Sequence, residues 1–147
     1  MTQTTPPASP FALADVSEAE IRTLVHEFYA AVQKDPVIGP VFARQIAPDA
    51  WPVHLARMCD FWSSVLLKTS RYDGRPLPPH LRLPDLSDTH FARWLALFRA
   101  TARGTLPPEE APKVIALAER IAYSFRLSVA FHRGEDSTKV TPLPASA

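Results

Sequence analysis

A chain of 147 residues is the length of one domain, enough to bury roughly 68–70% of the surface its unfolded form exposes. It is 46% hydrophobic and 21% charged, as an ordinary globular chain is, and its net charge of +1 leaves no electrostatic case for nucleic acid or an anionic membrane. No apolar run approaches the ~18 residues of a membrane span, and the start of the chain does not read as a secretory signal. A single cysteine, Cys59, excludes an intrachain disulfide, so a cytoplasmic setting is expected.

Sixteen prolines stand against four glycines, and they fall between apolar runs as punctuation. The stretches 1–16 and 133–147 read as disordered or loosely attached tails, leaving one domain over 17–132. "SEAE" has the form of a capping box, Ser17 with Glu20 three positions on. Ile21, Leu24, Val25, Phe28, Tyr29 and Val32 follow at helical spacing. "KDPVIGP" closes that helix, with Val41 and Phe42 expected to point inward after the turn. A second helix is predicted to begin near Pro48 or Asp49, with Asp49 a plausible cap and His54, Met58, Phe61, Trp62 and Val65 on one face. A third, capped by Ser87 or Asp88, carries Phe91, Trp94, Leu95 and Phe98. The fourth opens at Pro107–Pro108 and buries Val114, Leu117, Ala118, Ile121 and Phe125. Four helices without a sustained alternating pattern predict an all-α domain of two helix pairs.

Most of these aromatic residues are simply core. Three side chains resist that reading: the Tyr29 hydroxyl, the Trp94 indole N–H and the His54 imidazole all lie on inward faces and need partners if buried. They suit a small polar guest in an otherwise apolar pocket. A fourth oddity is "RYDGRPLPPHLRLPDL", residues 71–86, where proline stiffens the backbone around a single histidine, His80, and so fixes where its ring points.

The fragments "EFYAAV", "DPVIGPVF", "WPVHLARMCDFWSSVLL", "YDGRPLPPHLRLPDL", "HFARWLALF" and "ERIAYSF", in this order and spacing over residues 17–128, resemble a bacterial group III truncated haemoglobin. That resemblance implies an all-α truncated globin, a two-over-two helical sandwich enclosing haem b. It matches His80 to the proximal iron ligand, with His90 as the competing candidate, and it matches Tyr29, His54 and Trp94 to the distal ligand-binding side. Phe28, Phe42, Met58, Phe61 and Trp62 would form the apolar wall against the haem. Tyr72 and Arg82 are candidates for its propionates, Arg82 because a guanidinium is always charged and forks onto a carboxylate. The implied ligands are dioxygen, nitric oxide, carbon monoxide or cyanide at a five-coordinate iron. An alternative is a haem enzyme, a nitric oxide dioxygenase or a peroxidase-like protein, which needs an external reductase of unknown identity. A cofactor-free interaction module is a third class, but it has no reason to gather Tyr29, His54, Trp94 and His80 around one apolar space.

Overall fold

The computed structural model describes residues 11–74 and 86–143. Among them are five α-helices and no strand: α1 (Glu18–Lys34), α2 (Gly39–Gln45), α3 (Trp51–Leu67), α4 (Asp88–Thr105) and α5 (Ala111–His132). Short 3-10 turns lie at Pro48–Ala50 and Ser137–Lys139. α1 packs on both α3 and α4, and α4 packs on α5, so the pairs α1/α3 and α4/α5 form the expected two-over-two sandwich.

Helix ends follow from local chemistry. The Ser17 hydroxyl accepts the Glu20 N–H at 3.0 Å and the Ser17 N–H donates to Glu20 Oε1 at 2.8 Å, the reciprocal box that "SEAE" predicts. Asp35 then takes over the turn out of α1. Its carboxylate accepts the N–H groups of Val37 (2.9 Å) and Ile38 (3.0 Å) and the Nε–H of Arg93 on α4 (2.6 Å). With those donors satisfied, the chain folds at once into α2, a helix the proline-flanked sequence does not announce. A Cβ on Gly39 would come within 3.1 Å of the Val32 and Gln33 carbonyl oxygens, so any larger residue would have to push α2 a few tenths of an ångström away from α1.

Two helix starts differ from expectation. Asp49 does not cap α3; it lies within the 3-10 turn, and Ala50 occupies the cap position without a side-chain bond. Pro107 and Pro108 lie in a turn before α5, which begins only at Ala111 because the Pro107 carbonyl accepts from the N–H groups of Glu110 and Ala111. Packing also continues past both boundaries drawn from sequence. Ala14 and Val16 are buried, and the Leu13 N–H donates to the Leu66 carbonyl at 2.8 Å. At the other end, the buried Arg126 guanidinium holds both Asp88 carboxylate oxygens (2.9 and 3.0 Å) and the Thr141 carbonyl (2.6 Å), while Leu143 packs against the core. Residues 11–16 and 133–143 are therefore attached segments, since short apolar side chains and one guanidinium anchor what composition alone reads as tail.

The core centres on Phe28, Ile21, Leu24 and Val25 of α1, Leu66 of α3 and Phe98 of α4. Trp62, Phe98 and Trp94 form a continuous ring stack between α3 and α4, with centroids 5.0 and 5.4 Å apart. Phe98→Ala is expected to cost about 3–5 kcal/mol by urea unfolding. Burial alone pushes the Asp35 carboxyl up, but the Ile38 and Val37 N–H groups and the Arg93 guanidinium outweigh it and hold it below its ordinary value of 3.8. A lowered folded-state pKa means stability that is complete above the ordinary value and lost as pH falls through the folded one. Asp35→Asn should therefore lower the thermal midpoint at pH 7 and flatten its decline below about pH 4; an unaltered acid limb would exclude Asp35 as its source.

Candidate functional site: an apolar cavity between the helix pairs

The two helix pairs do not close completely on each other. A cavity of about 640 Å³ lies between them, walled by side chains from all five helices. Phe42, Met58, Phe61, Trp94, Ile121 and Phe125 are each only partly buried, and every one of them lines this space. Their uncovered surface borders one shared space, which is unusual for so many side chains of this size. The volume falls within the ~300–1,000 Å³ of small-molecule and cofactor sites.

The polar groups that reach the cavity are few and separately placed. Tyr29, on α1, is buried and lines it. Its hydroxyl makes no hydrogen bond among the described residues, and burial raises its pKa well above 10, so it stays a protonated donor. Trp94, on α4, also lines the cavity, and its indole N–H likewise finds no acceptor among the described residues. His54, on α3, lines the cavity with its ring edge-on to Tyr29 at 5.0 Å. Three helices thus bring three hydrogen-bonding side chains to one cavity.

Phe42, Met58, Phe61, Trp62 and Tyr72 line the cavity. Phe28 does not. It is one residue from Tyr29, about 100° around α1, and that step turns it into the core against Tyr29, Trp94 and Phe98 (4.9, 5.4 and 5.3 Å). His80 and Arg82 lie outside the described residues.

Some lining residues escaped the sequence reading. Arg57 is three positions from His54, hence on the same face of α3, and that spacing was the available signal. It meets Tyr72 near Gly74: a Cβ there would lie 2.7 Å from the Tyr72 hydroxyl oxygen and 3.1 Å from Arg57 Nη2. Glycine leaves room for these two polar tips to converge beside the cavity. Ile121 and Phe125 were read as core, and nothing in helical periodicity separates a residue facing core from one facing a cavity.

His90 also lines the cavity, but its ring is engaged elsewhere. Its Nδ1 accepts the Ser87 backbone N–H at 3.0 Å, so His90 stands where a glutamate would complete the capping box of α4. While that bond is made Nδ1 is an acceptor, whereas metal-bound histidines usually donate through the nitrogen that does not hold the metal. No group of three or more metal-ligating side chains is present among the described residues.

No family model matches the chain. It is 32% identical over 113 residues to the group 3 truncated hemoglobin ctb of Campylobacter jejuni, a match spanning 76% of this chain and 89% of that protein. The crystal structure of the group III truncated hemoglobin from Campylobacter jejuni superposes with a TM-score of 0.74 at 31% identity, over 78% of this chain and 92% of the other. The fold and the cavity between its helix pairs define a globin. Within the globins, this chain belongs to the group III truncated haemoglobin family.

Family membership implies haem, and the residues present suit it. The cavity is apolar with aromatic walls, Tyr29 and Trp94 bring donors without acceptors, and Arg57 and Tyr72 bring polar tips together at one place. If His90 is a helix cap, His90→Ala should cost about 0.5–2 kcal/mol of stability and leave the Soret band of the hemin-loaded protein unchanged. Loss of that band with the fold intact would make His90 the iron ligand instead.

Proposed function

We propose that this chain binds haem b in the central cavity and uses it to bind dioxygen reversibly, with nitric oxide, carbon monoxide and cyanide as further ligands. The observation that carries this reading is the pair of unspent donors. The Tyr29 hydroxyl and the Trp94 indole N–H face an apolar space with no protein acceptor among the described residues. Donors that border an apolar space without a protein acceptor suit an acceptor that arrives with a guest.

The cofactor, when bound, supplies a ferrous iron with one open position for a diatomic molecule. The chain's own side chains do the rest. His80, in the proline-stiffened segment, is the protein ligand of the iron. His90, the competing candidate, has its Nδ1 engaged by the Ser87 N–H, which favours His80. Tyr29 and Trp94 donate hydrogen bonds to the guest, and because Tyr29 keeps its proton at every physiological pH, its donation does not depend on pH. Phe42, Met58, Phe61 and Trp62 hold the porphyrin by apolar contact and keep water from the guest. Arg57 and Tyr72, with Arg82 as a further candidate from the sequence, would meet the propionates.

His80→Ala is expected to abolish stable hemin uptake or weaken it sharply, read from the Soret band after gel filtration; normal retention would remove His80 from the role. A hydrogen bond to a guest that carries partial charge contributes about 1.5–3 kcal/mol, so Tyr29→Phe and Trp94→Phe should each raise the dioxygen off-rate by roughly 10–100-fold. Stopped-flow rates equal to those of the parent chain would mean that neither donor reaches the guest.

A further inference from the structure

We infer that Trp51 is a positioning residue that holds the His54 imidazole against the cavity and so limits how fast a guest enters. This rests on the haem reading above. Trp51 is the first residue of α3, with Pro52 setting the backbone of that turn. It is three positions from His54 and so shares its side of the helix. The indole contacts His54 edge-on, with centroids 5.4 Å apart and planes at 89°. It meets Tyr29 at 5.8 Å and stacks on Phe42 of α2 at 6.5 Å.

With the Tyr29–His54 contact at 5.0 Å, each of Trp51, Tyr29 and His54 touches the other two. Trp51 is half-buried and is not part of the cavity wall, whereas Tyr29 and His54 both are. Its ring therefore backs the imidazole instead of competing for the guest's place. An imidazole turning away from the cavity breaks edge contacts with two rings at once. The Phe42 stack anchors Trp51 to α2, so the support comes from a neighbouring helix as well as from α3.

The test uses the hemin-loaded full chain. In the carbonmonoxy form, flash photolysis of Trp51→Ala should show a carbon monoxide association rate raised about 3–10-fold, the size expected for losing one aromatic contact. The proton nuclear Overhauser contact between the Tyr29 ring and the His54 imidazole should weaken or vanish in the same sample. Trp51→Phe keeps an aromatic edge and should restore both readouts most of the way. It also carries the test if the alanine variant does not fold. In a His54→Ala background, Trp51→Ala should add no further acceleration. Unchanged rates and contacts, or the same acceleration without His54, overturn the inference while leaving the haem assignment intact. A parent chain with no Soret band after hemin addition removes both together.

Discussion

The constraint on which the rest of this structure depends is an apolar space that the described residues leave between the two helix pairs. Water is a poor occupant for walls of Phe42, Phe61, Trp62, Trp94 and Phe125. A large, flat, apolar molecule that covers those walls stabilises the folded state that binds it. The family to which the chain belongs implies that this occupant is haem.

Helix geometry lets so short a chain serve both stability and binding. Phe28 and Tyr29 are consecutive, and the 100° step between them divides their tasks. Phe28 completes a ring cluster with Trp94 and Phe98, while Tyr29 turns its hydroxyl to the cavity. α5 repeats the division: Val114, Ala118 and Val129 pack inward, and Ile121, Ala122 and Phe125 form wall. The Trp62–Phe98–Trp94 stack joins the two functions physically, because its ends line the cavity and its middle ring is fully buried. A change to the wall is therefore felt in the core within one ring contact.

Much of this was legible beforehand, for reasons that can be named. The α1 cap was readable because a capping box is a four-residue pattern whose two hydrogen bonds are local. Tyr29, His54 and Trp94 were readable because polar groups on apolar faces are conspicuous. What was not legible depends on distant partners. α2 forms because Asp35 is held by Arg93, 58 residues away, and proline and glycine composition cannot announce that pairing. The segments beyond Ser17 and His132 looked loose because Ala14, Val16 and Leu143 are too few to register as an apolar run, yet Arg126 and Leu66 secure them. Phe28 was expected in the wall and packs in the core for a related reason. Periodicity says that a residue is buried, not whether it faces core or cavity, and neighbours on one helix can differ in this.

His90 illustrates how one hydrogen bond separates two roles that composition treats as equal. Both His80 and His90 lie near the start of α4 in sequence, and an imidazole is a plausible iron ligand at either position. An iron ligand needs a ring nitrogen with a free lone pair, held in a fixed direction by its surroundings. His90 has the fixed direction, but its Nδ1 lone pair is taken by the Ser87 N–H. Its capping bond therefore does more than start a helix. It ties an imidazole on the cavity wall to the helix terminus, so that a metal could use this nitrogen only by giving up the cap.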